Sequence, residues 1–281
     1  MPTSQPRRQQ SDDAVTRDSL SAVALGILHG DDAARSEVAW TLPEEAPVAL
    51  LVNTRPLAVM MATPADLEDL ALGFLLAEGV IPRPDAHFLT KVRPLPDGWE
   101  LCLTVDPDTL DETRLVPRAI EGRTGCGLCG VQHLADALPP LTPKARVSTT
   151  VTPVAIARAF AALPDHQPLN TATRSVHGAA FCDAGGRIVL AREDVGRHTA
   201  LDKLIGALAR SDHPAHDGFV VMTSRCSVEL VQKAVRAGLS LLATVSAPTT
   251  LALDLAGRVG LTLAARARPD GVVVFRGPPQ T

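Results

Sequence analysis

Two cysteines stand three residues apart in the stretch GRTGCGLCG, Gly122 to Gly130, with four glycines among its nine residues. Glycine at that density favours neither helix nor strand, so the stretch reads as a loop that bends freely and lets a large partner approach its backbone. The two thiols, Cys126 and Cys129, could hold a metal, exchange electrons or carry a sulfur atom. Zinc takes four ligands, usually as two close pairs. Here His133 follows four residues after Cys129, while Cys182, Cys226, His177 and His198 are scattered and no second close pair exists. A thioredoxin-like redox pair opens a helix after a strand, whereas this pair is framed by glycine. An accessible thiol on a swinging loop fits sulfur chemistry better, because attack on sulfur needs access to the thiolate. A zinc-stabilised nucleotide-binding scaffold without covalent chemistry is the alternative, and no permanent metal is expected under the first reading.

A second group of polar residues gathers in the second half of the chain. AREDVGRHTALDK carries Arg192, Glu193, Asp194, Arg197 and His198; TSRCSVE carries Thr223, Ser224, Arg225, Cys226 and Ser227; VSAPTTLA carries Ser246, Thr249 and Thr250. Each lies where an apolar strand-like run gives way to a helical pattern. In an open α/β sheet such junctions lie at the carboxyl ends of the strands, where ligands bind. The helix N-termini there offer free N–H groups and a positive dipole end to an anion. Arginine at two of the junctions strengthens a phosphate or nucleotide reading. Each junction taken singly also fits an ordinary N-cap, and His198 could simply satisfy a backbone carbonyl.

The elements that must position these groups follow from pattern and punctuation. VALLVNTRPLAVMMATP reads as a hairpin about the Asn53–Pro56 turn. PADLEDLALGFLLAEGVI reads as an amphipathic helix ended by Gly79, and a strand pair follows around KVRPLPDGWELCLTV. Beyond LPPLTPK the pattern alternates: a helix from Pro153, two strands joined at Asp183–Gly186, then helix, strand, helix closed by Gly238, strand and helix. This predicts an α/β arrangement, α+β overall, with a three-layer domain over 146–257 and a smaller α+β domain over 36–120. Residues 1–35 read as a disordered tail and 121–145 as a flexible loop and linker. The terminal strands, 258–281, are expected to join the smaller domain, the alternative being that they extend the larger one.

Composition narrows the function classes. The chain of 281 residues is 46% hydrophobic but only 3% aromatic, without tyrosine, so its core must be aliphatic. A net charge of −4 with so few aromatic residues gives neither an electrostatic footprint nor a stacking platform for nucleic acid. No apolar run reaches the length of a membrane span. The first twenty residues are polar and lack the apolar centre of a secretory signal. That predicts a cytoplasmic protein with reduced thiols. Cys102 and Cys182 fall in strand-like apolar runs and are expected to be buried as small hydrophobes.

The blocks GCGLCG, TRSVHGAA, AREDVGRHTALDKLIG, TSRCSVELVQKA and VSAPTTLALDLA closely resemble the FdhD family, the formate dehydrogenase accessory sulfurtransferases. The resemblance covers the chain from about residue 45 to its end, and EDVGRHxALDK is far more specific than the CxxC. It implies a carrier that takes persulfide sulfur from a cysteine desulfurase. The sulfur then passes to the molybdenum cofactor, in its bis(molybdopterin guanine dinucleotide) form, for the catalytic subunit of formate dehydrogenase. It places the persulfide on Cys126, with Cys129 as its CxxC partner, and implies a homodimer. It also implies a cytidine-deaminase-like larger domain and a cofactor-binding segment at Arg266, Ala267, Arg268, Pro269, Asp270 and Gly271. Arg266 stands where an aromatic residue is usual in the family. Deamination itself is not expected: Gly178 and Ala179 follow His177 where a proton-shuttling glutamate would be needed. With the junction residues Arg192, Asp194, Arg197, His198, Thr223, Ser224, Arg225 and Ser246, these form the expected cofactor site.

Overall fold

A computed structural model of the chain describes residues 20–29, 35–82, 88–115, 141, 151–268 and 271–275. The first strands, β1 (Ser21–His29) and β2 (Arg35–Pro43), pair antiparallel as a two-stranded ribbon. Part of the segment expected to be a tail is therefore strand. Its apolar residues Val23, Leu25 and Ile27 are exposed, so the ribbon stands outside the core.

A hairpin follows, β3 (Ala46–Val52) and β4 (Arg55–Ala62). Asn53 and Thr54 make its turn in the left-handed region, at φ 48° and 68°. The Asn53 amide fixes this turn to the sheet, donating to Val105 O and accepting from Val105 N, each at 2.9 Å. With β5 (Phe88–Leu95) and β6 (Gly98–Val105) the hairpin forms a four-stranded sheet ordered β4-β3-β6-β5. Helix α1 (Leu67–Glu78) packs on it and ends at Gly79, whose φ of 74° is cheap only for glycine.

The second sheet has six strands, ordered β12-β11-β10-β9-β7-β8. These are β7 (His177–Asp183), β8 (Ile188–Asp194), β9 (Gly218–Met222), β10 (Leu241–Thr244), β11 (Thr262–Arg268) and β12 (Gly271–Val274). The two terminal strands thus extend this sheet and do not return to the smaller one. β11 arrives by a helical crossover and pairs parallel to β10 over Leu241–Thr244, the usual outcome of a strand–helix–strand connection. The other helices are α2 (Pro153–Ala162), α3 (Pro168–Thr173), α4 (Arg197–Ala209), α5 (Val228–Arg236) and α6 (Thr250–Val259). Helix α2 covers one face of the sheet, packing Ile156 and Phe160 against Cys182, Phe219 and Val221. Helices α4, α5 and α6 cover the other face in a core that continues through α1 into the four-stranded sheet. Cys182 is fully buried, as its run suggested, and burial pushes its thiol up to about 12, whereas Cys102 is only half-buried.

Helices α1 and α4 join the two sheets at close range. A Cβ on Gly73 would run into the Asp202 carbonyl, and one on Gly206 into the Asp69 carbonyl. Lys233 of α5 closes the same seam, reaching Asp202 and Glu78 at 2.9 Å.

Candidate functional site

β9, β10 and β11 run parallel, and β7 is antiparallel to both β8 and β9. It follows that the carboxyl ends of β8, β9, β10 and β11 lie along one sheet edge, beside the start of β7. All three polar junctions open on this edge. So does the β11–β12 hairpin, in which Arg266 pairs with Val272 and Arg268 with Gly271 around a bulge. The side chains of Ala267 and Arg268, with all of Pro269 and Asp270, lie outside the described residues, as do Cys126 and Cys129.

The residues at this edge divide by what they touch. Arg192, expected at a phosphate, is committed to α1: its Nη2 and Nε donate to Asp69 Oδ2 at 2.7 and 2.9 Å. Asp194, expected at the cofactor, has no free acceptor capacity facing outward. It is fully buried, its Oδ2 lies 2.7 Å from Lys203 Nζ and accepts from Thr63 N at 3.0 Å. Its Oδ1 accepts from Gly196 N and from the Thr199 hydroxyl. Both residues are bonded into the fold, Arg192 to α1 and Asp194 to α4 and the Thr63 backbone. Glu193 caps α3, accepting from Leu169 N and Asn170 N at 2.9 and 2.8 Å.

Arg225 and Ser246 are exposed at the edge. Ser224 is buried and its hydroxyl donates to Arg225 O at 3.0 Å. No ion pair joins Arg225 to Glu229 among the described residues, so the guanidinium stands ready for an external anion. An Arg225→Ala variant is expected to weaken GDP binding about tenfold by calorimetry, near 1.5 kcal/mol, the low end for a charge-assisted hydrogen bond because the group is exposed. Arg225→Lys should recover only part, since an ammonium lacks the planar fork; equal affinity in wild type and Arg225→Ala would move the site elsewhere.

Buried polar atoms without partners mark the edge further. Gln167 Nε2, His198 Nε2, Ser227 Oγ and Glu229 Oε2 are buried and make no hydrogen bond among the described residues. Native interiors rarely leave such groups unpaired, and each asks for a partner. Ser227 and Glu229 sit at the start of α5, and His198 in the first turn of α4. Gln167 packs against Gly178, where a Cβ would strike its amide. Four such atoms lie toward one edge, beside exposed Arg225 and Ser246: three can donate to an anionic ligand, while Glu229 Oε2 asks for a donor. Among the described residues no group of three His, Cys, Asp or Glu side chains comes together as a metal site.

His177 also lies at this edge, although the sequence offered its run, TRSVHGAA, only as part of the family resemblance. Its Nδ1 lies 3.2 Å from Thr223 Oγ1. Burial first, then the Arg197 charge, lowers its pKa. His198 is held down to about 3, by burial and then by the charges of Lys233 and Arg197. Both imidazoles are therefore neutral at pH 7. This has a consequence for stability. Below pH 6.5 the unfolded chain takes a proton on His198 that the folded chain refuses, so stability falls as pH drops from 6.5 toward 3, by up to about 1.4 kcal/mol per unit. Asp202, raised by burial to about 6, acts oppositely, gaining a proton in the folded state between 6 and its unfolded value. Urea midpoints of wild type and His198→Gln, followed from pH 7.5 to 4.5, isolate the histidine. The wild type should lose ground to the variant on the acid side, and parallel curves would show that His198 is not held neutral.

Comparison with known proteins bears on the family and the architecture. Residues 43–281 match the profile of the FdhD/NarQ family. A sulfur carrier protein FdhD of Variovorax paradoxus is 47% identical over 83% of this chain and 84% of its own length. One from Chromobacterium violaceum is 45% identical over 92% of this chain and 96% of its own. A crystal structure from Desulfotalea psychrophila, provisionally described as a formate dehydrogenase accessory protein, superposes with a TM-score of 0.73 at 26% identity, covering 92% of this chain and 98% of that one. The mixed α+β architecture is thus shared with a solved relative, and among the described residues no helix is long and apolar enough to cross a membrane. With the family profile spanning the four-stranded sheet, the six-stranded sheet and the polar edge of the latter, the chain belongs to the FdhD/NarQ family.

Proposed function

We propose that the chain is a cytoplasmic sulfur carrier for formate dehydrogenase maturation. It takes persulfide sulfur from a cysteine desulfurase on Cys126 and passes it to the molybdenum cofactor, bound as a guanine dinucleotide at the sheet edge. The names of the relatives support the carrier role. The observation that supports the cofactor site is the set of unpartnered buried polar atoms beside Arg225 at one edge. The α/β half would be the deaminase-like domain, acting as a binding platform, and a homodimer would present two such platforms.

The loading step balances without an added reductant. The Cys126 thiolate attacks the outer sulfur of the donor persulfide, a new S–S bond forms, and the donor leaves as a thiolate. Release can follow from Cys129. Its thiolate attacks Cys126 Sγ, forming a Cys126–Cys129 disulfide and freeing the outer sulfur as hydrosulfide for the client, and exchange with a cellular dithiol returns the pair to thiols for the next round. CxxC spacing permits that disulfide. On the platform, exposed Arg225 and the start of α5 meet the pyrophosphate, while neutral His198 supplies a hydrogen bond without charge. The experiment that tests the whole reading is mass spectrometry of the CxxC peptide after incubation with a desulfurase and cysteine. An increment of one sulfur atom on Cys126 is expected, and its absence, with zinc present in stoichiometric amount, would leave the scaffold reading in its place.

A further inference from the structure

We propose that His177 donates its Nε2–H to a phosphate oxygen of the bound nucleotide, with Thr223 as the positioning residue that fixes this tautomer. The inference rests on the nucleotide reading of the sheet edge. It starts from one hydroxyl and the groups around it. Gly178 N donates to Thr223 Oγ1 at 3.0 Å, and Nδ1 of His177 lies 3.2 Å from the same oxygen. Among the described residues Thr223 Oγ1 has no further partner. Among the described residues the acceptor that the hydroxyl proton can reach is Nδ1, and we assign the proton there. An imidazole that accepts at Nδ1 and is neutral carries its proton on Nε2.

Backbone bonds fix the position of the ring. Thr223 N donates to Gly178 O at 3.1 Å, so the ends of β7 and β9 are clamped in both directions. With Nδ1 held toward β9, Nε2 on the far side of the ring points away from that strand end. His177 is half-buried, and its Nε2 is not among the buried polar atoms that lack a partner. The charge that faces the ring from α4 is Arg197, with Asp194 of β8 acting in the opposite sense and more weakly. A second cation would be repelled by Arg197 before any ligand arrived. A neutral donor adds a hydrogen bond to an anionic oxygen without that repulsion, which suits a nucleoside diphosphate better than a neutral ligand. Thr223, expected from sequence to touch the ligand, then acts one step behind it.

Two measurements on the full chain test this. Long-range ¹H–¹⁵N spectra at pH 7.5 should show His177 protonated at Nε2 and bare at Nδ1. Thr223→Ser should keep that pattern, whereas Thr223→Val should mix the tautomers and raise the pKa, because a bond favouring the neutral form is gone. Calorimetry with GDP should then show His177→Ala weakened about tenfold. His177→Gln, whose amide N–H reaches as far as Nε2, should stay within about threefold of wild type, and the shorter His177→Asn should behave like alanine. A proton on Nδ1 in the wild type would overturn the proposal, as would equal affinity of wild type and His177→Ala. Failure of the wild type itself to bind GDP would take down the nucleotide reading and the donor role together, and is told apart by needing no variant.

Discussion

A Cys126→Ala chain should yield formate dehydrogenase with no activity above that of a strain lacking the protein, while binding GDP as the wild type does. The loss should be complete because no other thiol can take the place. Cys182 and Cys226 are buried and their thiols are pushed up to about 12, so neither supplies a thiolate at neutral pH. Cys102 is reachable but its thiol is also raised, by burial and then by Glu100, which accepts from its Sγ at 3.2 Å. Cys129 remains, but under the release chemistry it is the attacking group and cannot also hold the sulfur. A Cys129→Ser chain should therefore differ in kind. It should load sulfur on Cys126 and accumulate it, seen as one added sulfur atom by mass spectrometry, yet leave the client enzyme inactive. Activity preserved in Cys126→Ala would remove the carrier role altogether. Activity preserved in Cys129→Ser alone would confine the error to the release step.

The fold was legible where punctuation and period agree. Asn53–Pro56, Gly79 and Gly238 closed their elements where glycine or a turn demanded it, and each strand-to-helix junction stood where apolar runs gave way to capping residues. The ribbon was not legible. Its first strand, SAVALGILH, follows twenty polar residues and carries exposed apolar groups, so no buried face marked it as structure. The sheet that takes the terminal strands was not legible, because strand partners are set by crossover handedness and not by composition. In the site, residue type showed which side chains are chemically capable, but not which are already spent. Arg192 finds Asp69 across 123 residues of chain, and no local pattern reports that. His177 stood outside the expected site for the converse reason: its run carries the family resemblance, but its partner Thr223 is 46 residues on.

Asp194 offers the sharpest separation of fold from function, and removing its charge or that of Lys203 should cost about 3–5 kcal/mol of stability. The pair is fully buried at 2.7 Å. It also ties the two sheets together, because Lys203 Nζ donates to Thr63 O at 2.9 Å, Thr63 N donates to Asp194, and Val195 N donates to Thr63 Oγ1 at 3.2 Å. Thr63 lies between β4 and α1, so the loss of one charge strands the other and loosens the seam at once. Asp194→Ala leaves an ammonium in a dry site; Lys203→Met leaves a carboxylate that retains Thr63 N, Gly196 N and the Thr199 hydroxyl, and should suffer less. The double variant Asp194→Leu/Lys203→Met removes both charges and should be more stable than the sum of the single losses predicts, which a double-mutant cycle in urea reads directly. Because a single loss of this size can approach the whole stability of a domain, the double variant also serves as the folded test of binding. If Asp194 works only through the fold, its GDP affinity should stay within about twofold of wild type. A folded double variant that no longer binds GDP would return Asp194 to the ligand site, and a cost below about 1 kcal/mol for Asp194→Ala would show the pair to be as weak as an exposed one.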